Sequence, residues 1–197
     1  MLQEELLSRV VALHAATATV LLAIDGRGGS GKTLLAKSIA NGLAAASTPV
    51  SIVHVDDFFL PSGQRPHGSP GEKPIGGDFD WVRLRDQVLA PLRRGESARY
   101  DRYDWDRDAL WGTLDVPAGQ VVIVEGIYAS RRELADLYEL RVWVECPREL
   151  RLARGLARDG EGARLRWVED WMPSEDRYVR EHRPMEYANV IVSGAAA

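Results

Sequence analysis

The stretch Gly26-Arg27-Gly28-Gly29-Ser30-Gly31-Lys32-Thr33 contains every fixed position of the pattern G-x-x-x-x-G-K-[ST]. An apolar run at 20–24 precedes it and predicts a buried strand, and a helix-favouring run at 34–40 follows it. Strand, glycine-rich loop and helix form the context in which this pattern binds phosphate. The glycines let the backbone turn its N–H groups inward at a helix N-terminus, which creates an anion site. A plain Gly-rich turn before a helix is the alternative, and it gives no reason for the Lys-Thr ending.

The loop predicts a site for the triphosphate of ATP. Lys32 is expected to reach the β- and γ-phosphates, and the Thr33 hydroxyl is expected to hold Mg²⁺. The other loop residues predicted to cradle the phosphates are Gly26, Gly28, Gly29, Ser30 and Gly31. ATP and Mg²⁺ are therefore the ligands that we expect.

Composition is that of an ordinary globular protein. The chain has 197 residues, 45% of them hydrophobic and 27% charged, which predicts one α/β domain over residues 1–197. A net charge of −4 gives no attraction to nucleic acid or to a membrane surface. Cys146 is the sole cysteine, so an internal disulfide is excluded. The N-terminal stretch has the pattern of neither a signal peptide nor a membrane span, and we expect a cytoplasmic protein.

Apolar runs and helical patterns alternate along the chain. The predicted strands are 20–24, 50–55, 121–124, 140–144 and 190–192, with 100–105 extended as well. The predicted helices are 2–15, 34–46, 80–93 and 148–182. Such alternation predicts a three-layer α/β/α fold with a mostly parallel five-stranded sheet. Ligands of these sheets bind at the carboxyl ends of the strands, so residues directly after strands should converge.

Segment 61–78 breaks the alternation, because half of its residues are proline or glycine. A segment of that composition does not pack as a regular element, and a loop of that length is typically functional or disordered. We expect it to be a flexible loop on the acceptor side of the site.

Carboxylates follow two of the predicted strands. A phosphotransferase that acts on a hydroxyl needs a carboxylate to orient the acceptor and take its proton, and Asp56 or Asp57 could do so. Either residue could instead cap a turn. Glu125 closes the strand at 121–124, where nucleotide-binding folds place an acid that contacts Mg²⁺ or its waters. A plain strand-end carboxylate is the alternative for Glu125.

Arginine is concentrated in the predicted C-terminal helical region. The residues are Arg148, Arg151, Arg154, Arg158, Arg164 and Arg166. Guanidinium groups match the geometry of phosphate oxygens, and nearby glycines would let residues of about 155–170 hinge as a lid. Arg158, Arg164 and Arg166 flank those glycines and are predicted to face the phosphates. Arg148 and Arg151 are predicted to lie on a solvated helix face.

Aromatic residues gather around the expected acceptor region. They are Phe59, Trp81, Tyr103, Trp105 and Trp111. They could stack on a base or ring, although aromatic residues more commonly belong to the core. His54 and His67 lack the spacing of metal ligands, and we predict no role for either.

Taken in order, these motifs resemble those of the uridine kinase and phosphoribulokinase group of P-loop kinases, which includes nicotinamide riboside kinases. The resemblance extends over about residues 20–193. It rests on the motifs at 26–33, 55–59, 79–80, 103–104, 124–127 and 188–192. It implies a P-loop NTPase fold with an Arg-rich helical lid, and it is compatible with a homo-oligomer.

The resemblance also implies roles for individual residues. Asp56 matches the catalytic carboxylate, and Glu125 matches the Mg²⁺-associated glutamate. Asp80 matches an acid that binds ribose hydroxyls, Tyr103 a residue of the base pocket, and Arg158 a lid arginine. The residues predicted to bind the acceptor are Asp80, Tyr103, Phe59 and Asp57.

Two positions depart from the uridine kinase pattern. Gly155 stands where those enzymes tend to carry a lid arginine, and the histidine expected shortly after Tyr103 is missing. The predicted function is therefore an ATP-dependent small-molecule kinase for a nucleoside or related riboside. Nicotinamide riboside, pantothenate and a sugar or sugar acid are the alternative acceptors. A regulator that binds ATP without a small acceptor is the alternative class.

Overall fold

Two sheets of different kinds make up the β structure of the computed structural model, which describes residues 3–195. The strands are β1 (Val20–Asp25), β2 (Val50–His54), β3 (Ala98–Asp104), β4 (Ala109–Val116), β5 (Val121–Glu125), β6 (Leu140–Glu145) and β7 (Val190–Ser193). Within the described range, five strands form a parallel sheet in the order β2-β5-β1-β6-β7, and β3 and β4 form an antiparallel ribbon. The predicted parallel five-stranded sheet is confirmed, whereas β4 was missed by the sequence analysis.

The central strands are buried on both faces. Every residue of β1 and β5 is buried, because helices cover both sides of the sheet. Side chains alternate between the two faces: Leu21 and Val122 belong to one hydrophobic cluster, and Leu22 and Ile123 belong to the other. The predicted three-layer arrangement follows from these two clusters.

The helices lie close to their predicted places. They are α1 (Gln3–Ala16), α2 (Lys32–Ala45), α3 (Trp81–Leu84), α4 (Ala90–Arg93), α5 (Arg132–Ala135), α6 (Arg148–Asp159), α7 (Arg164–Arg166), α8 (Met172–His182) and α9 (Pro184–Tyr187). A π-helical turn, Arg85–Leu89, joins α3 to α4, and another, Trp167–Trp171, joins α7 to α8. The predicted first helix includes Leu2, which lies outside the described residues. The short α5 and α9 were not predicted.

Strand register brings the functional segments to one edge of the sheet. β5 pairs with β1 on one side and with β2 on the other, so Glu125 lies opposite both Ile24 and His54. The glycine-rich loop leaves the end of β1, and a 3-10 turn, Val55–Phe58, leaves the end of β2. The sheet therefore brings the glycine-rich loop, the 3-10 turn and Glu125 to one edge, as the sequence predicted.

Segment 61–78 contains one short 3-10 turn, Ser62–Gln64, and is tied together at its base. Phe59 and Phe79 form an antiparallel bridge, and the Leu60 N–H donates to the Asp78 carbonyl at 2.8 Å. The mobility of the segment remains a prediction. Between residues 3 and 195, no helix has the length and apolar character needed to cross a membrane.

Candidate active site

Left-handed glycines shape the phosphate loop. Gly29 has φ +73° and Gly31 has φ +97°, a conformation that suits glycine because it lacks a Cβ. Gly31 is also the N-cap of α2, so the loop N–H groups and the helix N-terminus face the same space. The Lys32 ammonium donates to the carbonyl of Arg27 at 3.0 Å. The buried Ser30 hydroxyl has no hydrogen-bond partner among the described residues.

The side chains of Thr33 and Glu125 place oxygen atoms at the end of the phosphate loop. The Thr33 hydroxyl donates to Glu125 Oε2 at 3.1 Å, and His54 Nδ1 lies 2.5 Å from Glu125 Oε1. Burial acts to raise the pKa of Glu125, but the His54 hydrogen bond and the Lys32 charge outweigh it and hold the pKa below its ordinary value. The hydrogen bond to Glu125 raises the pKa of His54. His54, to which the sequence analysis assigned no role, therefore has a hydrogen-bond partner at the site.

The Thr33–Glu125 pair fits the way in which proteins bind Mg²⁺. Magnesium keeps several waters and usually takes one or two protein oxygens together with substrate phosphates. Between residues 3 and 195 there is no cluster of three or more His, Cys, Asp or Glu side chains that could hold a metal ion. Two oxygens beside a phosphate loop are what an ion shared with a bound triphosphate requires.

The two acids after β2 point to different places. Asp56 lines the main cavity together with Lys32 and Glu125. Burial raises the pKa of Asp56, and the charge of Glu125 raises it further. Asp57 instead accepts a hydrogen bond from the Tyr100 hydroxyl at 2.9 Å and is not a lining residue. The pair is thereby divided into an acid that faces the cavity and an acid that supports β3.

The main cavity joins the phosphate loop to segment 61–78. It has a volume of about 950 Å³ and opens to solvent. Gly28 and Lys32 line one end, and Arg65 and Asp78 line the acceptor side. The volume suits a small organic molecule and the phosphate tail of a nucleotide.

The arginines of the C-terminal region separate into three groups. Arg158 and Arg166, two of the three arginines predicted to face the phosphates, line the cavity, and so does Arg154. Arg164 is exposed and pairs with Glu161 at 2.8 Å, so it does not reach the cavity. Arg148 is exposed as predicted.

Arg151 differs from its predicted place on a solvated helix face. It is 3% exposed, donates to the Cys146 carbonyl at 3.1 Å and pairs with Glu175 at 3.3 Å. Packing of α6 against the loop and α8 buries this arginine, which a one-dimensional pattern of charges does not reveal. Burial lowers the pKa of Arg151, and the charge of Glu175 opposes that effect.

Gly155 has a packing role that accounts for the absence of an arginine. Its position on α6 is covered by the indole of Trp167, which is 1% exposed and donates to Asp159 at 2.9 Å. The same indole contacts Gly28 of the phosphate loop. Trp167 thereby attaches residues 160–171, which connect α6 to α8, to both glycines. The predicted lid at about 155–170 stays a prediction.

The acceptor side is rich in aromatic contacts. Phe59 stacks on Trp105 with ring centroids 4.8 Å apart, and the guanidinium of Arg65 covers the Phe59 ring at 4.4 Å. Tyr103 is buried, donates to Asp108 at 2.6 Å and accepts from Arg65 at 2.9 Å. Of these residues, Phe59, Arg65 and Trp105 line the cavity, and Tyr103 does not.

Asp80 also lies away from the cavity. Its carboxylate caps α3 by accepting from the Arg83 N–H at 2.9 Å and is not a lining residue, and the ribose contact implied by the resemblance stays a prediction. Asp78, two residues earlier in the chain, does line the cavity. Its Oδ1 is buried and accepts no hydrogen bond from the described residues. The same oxygen lies 3.6 Å from Lys73 Nζ. The sequence analysis missed Asp78 because the Gly- and Pro-rich segment has no periodicity from which a facing direction could be read.

Glu175 is a further cavity residue that the sequence analysis missed. It is 6% exposed, and its Oε1 accepts from the Gly28 N–H at 3.0 Å. Burial raises the pKa of Glu175, and the charge of Lys32 opposes the rise. An acid on a polar helix is ordinarily solvent-exposed, so the sequence carried no signal for this contact.

A glycine-rich loop between a buried strand and a helix, at the carboxyl edge of a parallel sheet, defines a P-loop nucleotide-binding protein. Comparison with known families makes the assignment more specific. The sequence model of the Phosphoribulokinase / Uridine kinase family matches residues 73–194. The chain belongs to this family, and the predicted resemblance is confirmed.

Individual relatives differ in how much of their length is matched. Uridine kinase of Ureaplasma urealyticum serovar 10 is 27% identical over 191 residues, which cover 90% of this chain and 89% of the relative. Inorganic pyrophosphatase TTM2 of Arabidopsis thaliana is 30% identical over 147 residues, or 71% of this chain, but the match spans 20% of the length of TTM2. The structure of a possible uridine kinase from Bacillus stearothermophilus has a TM-score of 0.72 at 21% identity, covers 95% of this chain and 98% of that one, and shows a shared fold.

Proposed function

We propose that the protein is an ATP-dependent small-molecule kinase that transfers the γ-phosphate to a hydroxyl group of a nucleoside or related riboside. The observation that carries the proposal is that one cavity is lined both by the phosphate loop and by Asp56, an acid whose pKa is raised there. A phosphate donor and an alcohol bound in that cavity would lie side by side. Family membership and the uridine kinase relatives support this class of acceptor.

The donor end of the cavity suits ATP. Loop N–H groups and Lys32 would hold the β- and γ-phosphates, with Thr33 and Glu125 presenting oxygens to Mg²⁺. Bound Mg²⁺ would neutralise charge on the phosphates. His54 fixes the Glu125 carboxylate by a 2.5 Å contact and so orients that oxygen pair. Arg158 and Arg166 face the same cavity and would stabilise charge on the transferring group.

The transfer step needs a group to receive the hydroxyl proton. The acceptor oxygen would form a bond to the γ-phosphorus while the bond from that phosphorus to the β–γ bridging oxygen breaks and ADP leaves. The hydroxyl proton would pass to the Asp56 carboxylate. Its raised pKa makes Asp56 a better proton acceptor than an ordinary aspartate.

A second acceptor class is favoured by the positions of Tyr103 and Asp80. Neither residue lines the cavity, because Tyr103 is held by Asp108 and Asp80 caps a helix. The contacts that the family resemblance implied for a nucleoside are thus absent from the described cavity wall. Asp78 and Lys73 are there instead, and they suit a polyol. Nicotinamide riboside, pantothenate and a sugar or sugar acid therefore remain alternatives to a nucleoside.

The test is ATP consumption over a panel of nucleosides, ribosides, pantothenate, sugars and sugar acids. We expect at least one nucleoside or riboside to raise the rate of ADP formation well above the rate without acceptor. Lys32→Met should abolish that rise because the phosphates lose their cationic contact. A rate that no alcohol changes would contradict the kinase proposal and would favour a regulator that binds ATP without an acceptor. A rate raised by a sugar or sugar acid and by no riboside would support the second acceptor class.

A further inference from the structure

Helix α8 is attached to the phosphate loop and to the residue before it by side chains of a single helical turn. Glu175 Oε1 accepts from the Gly28 N–H at 3.0 Å, and Asp176 Oδ1 accepts from Arg27 Nε at 3.0 Å. The α8 residue Tyr178 donates to the buried carboxylate directly before the loop at 2.6 Å. The helix thus contacts the start of the loop through three of its own residues.

Among these contacts, the one made by Glu175 reaches the cradle itself. Gly28 lines the cavity. It belongs to the loop whose backbone N–H groups are the donors that a bound phosphate would use. A Cβ at Gly28 would lie 2.7 Å from Glu175 Oε1, so the carboxylate is pressed against the backbone. The other carboxylate oxygen accepts from Arg151 at 3.3 Å. Both partners of this ion pair are almost completely buried.

The charge of Glu175 acts on the same space as the donor phosphates. Glu175 lines the cavity, and it interacts electrostatically with Lys32, the residue expected to reach the β- and γ-phosphates. A buried carboxylate repels a phosphate strongly, because the low dielectric screens the two charges poorly. Arg151 offsets part of that repulsion through its ion pair with Glu175.

We propose that Glu175 is a positioning residue that holds the Gly28 amide and whose negative charge sets an upper limit on affinity for the triphosphate donor. The inference rests on the proposed function, because it takes ATP as the donor. Removing the charge strengthens ATP binding, and removing its cationic partner Arg151 weakens it. Two residues of one ion pair therefore have opposite effects on the same affinity, whereas a purely structural ion pair would give losses of the same sign.

The experiment measures the Kd of ATP and of ADP by titration calorimetry in the presence of Mg²⁺, without an acceptor. Glu175→Gln is isosteric and keeps an oxygen that can accept from the Gly28 N–H. We expect it to bind ATP about tenfold more tightly than wild type and ADP with a smaller gain, because the γ-phosphate is absent. Arg151→Met should bind ATP about tenfold more weakly. Glu149→Gln, an exposed residue on α6, makes the same change of net charge and should leave both affinities unchanged.

Thermal unfolding of each variant establishes that it is folded, and both ion-pair variants are expected to melt below wild type because a buried partner is left unpaired. If wild type binds ATP and Glu175→Gln binds it no more tightly than wild type, the inference is overturned and the kinase proposal is left intact. If Arg151→Met and Glu175→Gln both weaken ATP binding, the pair is structural and the inference fails. A wild type that does not bind ATP contradicts the proposed function itself.

Discussion

Replacing Gly155 by alanine is expected to force Trp167 away from α6. A Cβ at this position would lie 2.5 Å from Cε2 and 2.9 Å from Cη2 of the indole, well inside van der Waals contact. The ring has little room to move, because it is 1% exposed, donates to Asp159 and also lies against Gly28. The added methyl group therefore has to be accommodated by a shift of residues 160–171.

The size of the effect can be estimated from packing. Overpacking a buried site by one carbon costs about 1–3 kcal/mol. Alanine in place of glycine in a helix returns about 0.5–1 kcal/mol, so the two ranges leave a net loss of about 0–2.5 kcal/mol. Because the Cβ would lie deep inside contact with a confined ring, we expect the free energy of unfolding to fall by about 1–2 kcal/mol. For a chain of this length the melting temperature should drop by about 2–8 °C.

Gly162→Ala provides a matched control in the same segment. A Cβ at Gly162 would meet no atom within 4 Å, and its φ is not in the left-handed region. The same chemical change should therefore leave stability unchanged or raise it by up to about 1 kcal/mol. Opposite signs for Gly155→Ala and Gly162→Ala would isolate the contact with Trp167 from the general effect of replacing glycine.

Thermal and urea unfolding measure both variants, and a double-mutant cycle with Trp167→Leu tests the contact directly. Trimming the indole should relieve the Gly155→Ala penalty, with a coupling of about 0.5–3 kcal/mol between the two positions. We also expect weaker ATP binding by Gly155→Ala, since the displaced ring touches Gly28. This reasoning would be refuted if Gly155→Ala were as stable as Gly162→Ala, or if the coupling free energy between positions 155 and 167 were zero.

Three further predictions concern the site and its support. Asp56→Asn should lower kcat by about 10²–10⁴ while leaving the Kd of ATP within a few-fold, and Asp57→Asn should change kcat much less; steady-state kinetics would contradict us if the two variants behaved alike. Tyr178→Phe removes a 2.6 Å hydrogen bond to the fully buried Asp25 and should cost about 1.5–3 kcal/mol in urea unfolding, so a loss below about 0.5 kcal/mol would count against it. The pKa of His54 is raised in the folded chain by its hydrogen bond to Glu125, so its stabilisation is complete below its unfolded pKa and is lost as pH rises through the folded pKa. The stability difference between wild type and His54→Gln should therefore be larger at about pH 6 than at about pH 9, and a difference that does not vary with pH would exclude this linkage.

The phosphate loop and the parallel sheet could be predicted because their signals are local. Strands such as β1 and β5 are continuous apolar runs, which is what burial on both faces demands. The glycines and the Lys-Thr pair in 26–33 are adjacent in the chain, so their arrangement needs no long-range information. The direction of the chain at the ends of β1, β2 and β5 then placed Asp56 and Glu125 near the loop.

Contacts between segments distant in sequence could not be predicted in the same way. Glu175 and Gly28 are 147 residues apart, and Arg151 and Glu175 read as ordinary surface charges until α6 and α8 pack beside the loop. That Asp78 lines the cavity and Asp80 does not depends on how segment 61–78 folds back, so that its last residue bonds to Leu60. Aperiodic segments carry no pattern that fixes which side chain faces inward.

Local sequence by itself determined the fold class, the phosphate loop and the strand ends after which Asp56, Asp57 and Glu125 lie. The tertiary structure decided which arginines are buried, which aspartates line the cavity, and why position 155 has no side chain. The physical reason is the range of the interactions. Backbone conformation and strand burial are encoded by neighbours along the chain, whereas charge pairing and indole packing depend on elements that meet after folding.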